Sequence, residues 1–457
     1  MYNFTYPAER FDENNIDKTE IIRLVRKHRQ FAGRLIMLDK YYRGEHKILN
    51  DEKKRGKNPL VCNHAKDISD TASAYFIGNP VTYNTDKDIA FLLEKLADAG
   101  ADEVDGDNGI DLSIFGLAYE YIYAKEDMAE LAIKNLSPIN TFMVKDDSIE
   151  EKELFSVYYH LRKDDTVEST GKMIATVCTK SYQYVFNLDC TAETAEEMEK
   201  REHFFGAVPV VEYLNNKLAI GDFELQIPLI DAYNALMSDR VEDKEQFIDS
   251  ILALYGALLG DEDTQDEDGK TPMQKLKDER LMELPEGAKA EYLSRTFDEA
   301  GVEILRKAIE QDIHKFSHVP CLTDESFGGN VSGVAMEFKL LGLENITKIK
   351  TRYYKKGLKK RLRLFANYFS VKGQQIDING VTPIFTRALP KNLLEISQYV
   401  SNLWGKVSKK TLLSQIPFVD NVEEELKAVE EEEQEAAERQ KSIFGVQQNE
   451  PLEDDME

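Results

Sequence analysis

His314 and His318 stand four residues apart and Cys321 follows three later, a spacing that can turn two imidazoles and a thiolate toward zinc. The residues between the histidines are Lys315, Phe316 and Ser317, so the glutamate that serves as general base in a zinc protease is missing. Two histidines on a packing or surface face account for the pattern, and no metal is expected. Gly329 and Gly333 are also four apart, but no Gly-Lys-Ser/Thr follows them and no GxGxxG occurs. A phosphate cradle needs those glycines for backbone approach and the lysine for charge. No GxSxG elbow and no compact Asp/Glu/Lys grouping for a two-metal nuclease stands out. The expectation is a chain with no catalytic residues, no metal and no cofactor.

The most unusual local chemistry is basic. Between Lys348 and Arg363 there are nine Lys or Arg and no acid, in a chain of net charge −26. Lys348, Arg352, Lys355, Lys359 and Arg363, spaced 4, 3, 4 and 4, form one stripe on a helix, with Tyr353, Leu358, Leu362, Phe365 and Phe369 as apolar neighbours. Three readings fit it: a solvated face, a subunit-to-subunit contact with the acidic C-terminal helix as partner, or a phosphate contact.

The elements that must position these residues change character along the chain. Residues 1–225 read as α+β with one meandering sheet. A helix capped by Asp17 or Thr19 carries Ile21, Leu24, Val25, His28, Phe31, Leu35 and Leu38. A second runs from Asn63 to Ile77, and strands cover 131–145, 153–162, 172–178 and 181–187. Residues 229–256 read as one long amphipathic helix, and GDEDTQDEDG (260–269) as a solvated acidic loop. A helix opened by a Thr296/Glu299 capping box spans 297–316, a glycine-bearing loop covers 321–331, and Ser332 caps a helix over 333–369, roughly 55 Å long. A strand pair follows over QQIDING and VTPIFTRAL, then short helices capped by Asn392, Ser408 and Asn421. Residues 420–457 hold 15 acids and 3 bases. Four scattered cysteines without a CxxC pair imply reduced thiols, and the absence of an 18-residue apolar run or a signal-peptide layout implies a soluble protein with no membrane role. The acidity argues against a broad grip on nucleic acid.

Over nearly its whole length the chain resembles the siphophage family of portal proteins, the head-to-tail connectors of tailed bacteriophages. The resemblance is carried, in order and spacing, by YYRGEHKIL (41–49), SAYFIGNPVTY (73–83), FGLAYEYIY (115–123), GAVPVVEYLNN (206–216), GDFELQIPLIDAYNALMSDRVEDKEQFIDSILALYG (221–256) and GGNVSGVAMEFKLLGLE (328–344). It implies a helix-rich α+β portal fold, with wing, stem, clip and crown parts assembled as a ring of, usually, twelve subunits. The implied division is a wing (1–225), a first stem helix (226–256), a clip (257–295), a second stem helix (296–317), a tunnel loop (318–332), a long wing helix (333–370), wing strands (371–390), a crown (391–441) and a disordered acidic tail (442–457).

The same resemblance implies a non-enzymatic ring at one capsid vertex that packages and ejects double-stranded DNA. Its implied partners are the terminase packaging motor, a head-completion adaptor, and capsid and scaffold proteins, with assembly in the host cytoplasm. Asp324, Glu325, Ser326, Phe327, Gly328, Gly329, Asn330, Val331 and Ser332 become the implied channel loop, which touches DNA without holding it.

Overall fold

A computed structural model describes residues 4–50, 58–125, 130–161, 172–248, 251–255, 289–293, 299–322, 333–387, 393–414, 416, 419 and 422–445. The chain divides into two compact units, one of Met1–Asp324 and Lys339–Ala388, the other of Glu325–Phe338 and Leu389–Glu457.

In chain order, β1 (Phe4–Thr5) precedes α1 (Lys18–Tyr42), α2 (His64–Ile77), β2 (Thr82–Asn84), α3 (Ala90–Asp98) and α4 (Ala101–Phe115). Eight strands follow: β3 (Leu117–Ala124), β4 (Leu131–Leu136), β5 (Thr141–Lys145), β6 (Glu153–Leu161), β7 (Lys172–Cys178), β8 (Tyr182–Asp189), β9 (Thr194–Glu202) and β10 (Val210–Leu214). Next come α5 (Ile227–Ile248), β11 (Ile251–Tyr255), β12 (Lys289–Leu293), α6 (Glu299–Ser317), α7 (Gly333–Val371) and β13 (Thr382–Ile384). The second unit holds α8 (Leu393–Leu403), α9 (Lys409–Leu413) and α10 (Val422–Gly445).

Local chemistry sets the helix starts. The Asp17 carboxylate accepts from the N–H groups of Thr19 and Glu20 at 3.0 and 3.3 Å, and Asn63 Oδ1 accepts from Lys66 N–H at 3.1 Å. Both satisfy backbone donors that the first turn leaves open. The apolar stripe of α1 packs on a six-stranded sheet of order β1-β5-β6-β7-β8-β9, where Ile21, Leu24 and Val25 meet Phe142, Val157 and Phe186. Only the β1–β5 pair is parallel.

The single meandering sheet expected for residues 1–225 is in fact two larger sheets. β3 lies between β10 and β4 in a separate three-stranded sheet: β4 takes one edge of β3 directly, and β10 returns after β9 to take the other. Around that sheet a second core gathers Phe76 of α2, Leu92 and Leu96 of α3, Ile122, Val211 and Tyr213 of the strands, and Tyr354, Leu358, Leu362, Phe365 and Phe369 of α7. Burying each large apolar side chain contributes about 1.5–3 kcal/mol, so α7 is anchored mainly by its inward stripe.

Two further readings are corrected. The helix expected over 229–256 stops at Ile248, and Ile251–Tyr255 pairs antiparallel with Lys289–Leu293. ILALY is an apolar run that suits helix or strand equally, and its partner across the intervening segment decides. Among the described residues, the strand pair expected over 374–388 is replaced by one strand, Thr382–Ile384, which joins Thr82–Asn84 as a two-stranded sheet. The acidic strand β9 was not anticipated, since TAEEMEKRE has the composition of a solvated loop.

In the second unit, Ser408 Oγ accepts from Thr411 N–H at 3.2 Å to start α9, Leu412 is buried, and Lys409 pairs with Glu433 of α10 at 2.7 Å. Tyr399 and Trp404 remain largely exposed. Among the described residues no helix is long and apolar enough to cross a membrane.

Candidate functional site

The nine cations of Lys348–Arg363 surround α7, and the fold sorts them into two sets. Three turn inward. Lys350 Nζ donates to Asp222 Oδ2 at 2.7 Å, with both side chains buried, and Ser113 Oγ donates to the same oxygen at 2.7 Å. Lys360 Nζ pairs with Glu153 and donates to the Val210 carbonyl oxygen at 2.6 Å, beside a second pair in which Lys145 meets Glu212 at 2.5 Å. Burial lowers the Lys360 pKa against the pull of Glu153.

Arg361 is fully buried and clamps two carboxylates. Its Nε donates to Glu120 at 2.8 Å, its Nη1 to Asp105 at 3.0 Å, and its Nη2 bridges Asp105 and Glu120. The hydroxyl of Tyr354 donates to Asp105 at 2.5 Å and that of Tyr213 to Glu120 at 2.9 Å. Burial works against the guanidinium charge, but Asp105 and Glu120 hold its pKa well above the usual value. This saturated hydrogen bonding offsets the desolvation of three charges in the core. Gly357 makes the close approach possible: the rings of Tyr213 and Tyr354 stack at 4.3 Å, and a Cβ on residue 357 would overlap the Tyr213 ring.

The other set faces outward. Arg352, Lys356, Lys359 and Arg363 are exposed, and none has an ion pair among the described residues. Two members of the expected stripe leave it: Lys348 pairs with Glu344 at 3.7 Å, and Lys355 is half-buried with its Nζ 5.9 Å from the Phe385 ring centroid. Lys356 takes their place, so the ridge runs 352, 356, 359, 363. A cleft lies on each side of it. One, of about 800 Å³, is walled by Leu362, Ala366 and residues 375–382; the other, of about 600 Å³, has mixed charge, with Lys145, Lys152 and Lys180 beside Glu150, Glu151 and Glu212. Lys359 and Arg363 line both.

Upstream, α5 and α6 pair through charges. Arg240 meets Glu303 at 2.8 Å, Lys244 meets Glu299 at 2.9 Å, and Arg306 Nη1 donates to the Tyr233 hydroxyl at 3.0 Å. Hydrogen bonds from Arg306 and Arg240 hold the Glu303 carboxyl down at about 2. At the end of α6, His314 is buried, with Nδ1 3.0 Å from the Val319 carbonyl oxygen and its ring 5.5 Å from that of His64. His318 is exposed in a left-handed turn, with φ 61°. Among the described residues no group of three His, Cys, Asp or Glu is placed to hold a metal. Asp324, Glu325, Ser326, Phe327, Gly328, Gly329, Asn330, Val331 and Ser332 lie outside the described residues, as does most of the expected clip and all of residues 446–457.

The family model described as phage portal protein, SPP1 Gp6-like, matches residues 23–439. The chain belongs to the SPP1 Gp6-like family of phage portal proteins. Two portal proteins align with it over most of their length. That of Bacillus phage SPP1 is 25% identical over 428 residues, covering 88% of this chain and 82% of the relative. That of Clostridium phage phiCD119 is 23% identical over 426 residues, covering 87% and 92%. A portal protein is a structural, non-enzymatic virion component that serves DNA packaging at the capsid vertex.

The segments that carried the resemblance frame the buried network. FGLAYEYIY supplies Glu120, GAVPVVEYLNN supplies Glu212 and Tyr213, and GDFELQIP supplies Asp222. Sequence reasoning missed this network, although Glu120 in the middle of an otherwise apolar strand is the kind of residue that must find a buried cation.

Proposed function

We propose that this portal subunit assembles as a closed ring of twelve copies through which double-stranded DNA is packaged and later ejected. In this reading the α5–α6 pair is the stem, the region around β11 and β12 belongs to the clip, and 318–332 is the tunnel loop. Residues 1–225 with α7 form the wing, and 391–441 the crown. The terminase motor docks during packaging and a head-completion protein afterwards, with assembly in the host cytoplasm beside capsid and scaffold proteins. The observation that carries the reading is the match to the portal family across residues 23–439. It is supported by the order of elements, since a charge-paired helix couple leads through 318–332 into the 39-residue α7.

A conduit for a polyanion works only if its wall does not bind phosphate tightly, because a strong site on every subunit would act as a brake. Net charge −26 meets that condition, and a loop with Gly328-Gly329 as hinges can touch DNA without gripping it. Negative-stain images of the purified full chain are expected to contain rings with a central hole, and a monomer at every concentration would reject the reading. Replacing Gly328 and Gly329 by proline should leave rings intact while packaged DNA falls; normal packaging would remove the loop from the mechanism.

A further inference from the structure

The buried pair Arg361–Asp105 joins α7 to α4, and on each helix the residues two positions away carry the opposite face. On α7 these are Lys359 and Arg363; on α4 they are Glu103 and Asp107. At 3.6 residues per turn a step of two lies more than half a turn round, so both pairs point away from the helix–helix contact. Lys356 and Arg352 extend the basic side, and Asp102 extends the acidic one. Asp102, Glu103 and Asp107 are exposed and, among the described residues, have no ion pair. Partial burial and then the charge of Glu103 raise the Asp107 pKa, so the acids crowd one another in the isolated subunit. This two-helix layer therefore carries exposed cations without an ion pair on one side, with Glu150, Glu151 and Asp377 in the clefts beside them, and exposed acids without an ion pair on the other, all among the described residues.

We infer that neighbouring copies in the ring meet through this layer, with the ridge Arg352, Lys356, Lys359 and Arg363 of one copy against Asp102, Glu103 and Asp107 of the next. The inference rests on the ring reading above. Two different, complementary surfaces on opposite sides of one subunit make a head-to-tail contact, which closes into a ring when the rotation per subunit divides a full turn. Copies of net charge −26 repel one another, and the ridge offers each copy a local attraction that sets direction and register.

The test uses the full chain and reads the ring fraction by mass photometry at low and high salt. The triple variants Lys356→Glu/Lys359→Glu/Arg363→Glu and Asp102→Lys/Glu103→Lys/Asp107→Lys should each lower it at least about tenfold, and combining all six should restore it to within about threefold. Added salt should weaken wild-type rings. Lysines in the first turn of α4 oppose the helix dipole, so milder pairs guard against misfolding. Lys359→Gln/Arg363→Gln and Glu103→Gln/Asp107→Gln should each lower the ring fraction about threefold. Intact rings in either reversal, in either glutamine pair, or a six-fold variant no better than the worse triple, would overturn the contact while leaving the ring reading standing. A wild-type chain that forms no ring sinks both. Should the ridge triple keep its rings but lose retention of a short DNA duplex, the ridge serves phosphate and the inference fails.

Discussion

The two sides of α7 carry the same kind of charge under opposite conditions. On the buried side Lys350, Lys360 and Arg361 each face a carboxylate from a distant part of the chain: Asp222, Glu153, and the pair Asp105 and Glu120. On the exposed side Arg352, Lys356, Lys359 and Arg363 face solvent. Water solvates a lone cation at little cost, whereas the core tolerates one only with its partners in place. The inner charges are thus bound to the fold, and the outer ones are free to serve contacts with other molecules.

Breaking the inner set should have the largest effect. Arg361→Met leaves Asp105 and Glu120 buried without their cation and should cost about 3–5 kcal/mol, measured by denaturant unfolding of the full chain. Gly357→Ala tests the approach that brings the clamp together. Its Cβ meets the Tyr213 ring, and the strain should cost about 1–3 kcal/mol.

Asp111 of α4 sharpens the comparison, because it is a half-buried acid that has an amide partner and, among the described residues, no cation. Asn135 donates to it at 2.8 Å, yet burial pushes its pKa up to about 7. The unfolded value is about 3.9. The raised folded pKa means that its stabilising effect is complete below the unfolded value and is lost as pH rises through 7. Asp111→Asn should therefore flatten the fall in Tm between mildly acid and neutral pH, and raise stability in mild alkali by about 1–2 kcal/mol. Smallest of all, Arg352→Gln/Lys356→Gln should move the unfolding free energy of the subunit by less than about 0.5 kcal/mol. A larger loss would mean that the ridge has a partner inside the fold.

The local parts of this architecture were legible. Asp17 and Ser408 cap the helices that their side chains suggest, the second helix starts where expected with Asn63 as its cap, and α7 ends within two residues of the expected Phe369. What periodicity could not give was the rotation of α7 about its axis. With cations on every side, helical spacing alone admits several stripes, and the choice is made by Asp105 and Glu120, more than 240 positions away in the chain. The stripe expected from spacing thus shares Arg352, Lys359 and Arg363 with the exposed ridge, while Lys348 pairs with Glu344, Lys355 is half-buried, and Lys356 joins from outside the expected set. For the same reason spacing extends the α5 helix through ILALY, whose strand partner lies some forty residues further on. The expected channel loop, Asp324–Ser332, falls outside the described residues.

Trp404 is the only tryptophan in the chain, and it stands exposed in the second unit. The indole emission of the intact protein is therefore a reporter for that unit alone, red-shifted while water reaches the ring. Anything that covers the unit should shift the emission to the blue without labelling, whereas rearrangements confined to the first unit should leave this signal silent.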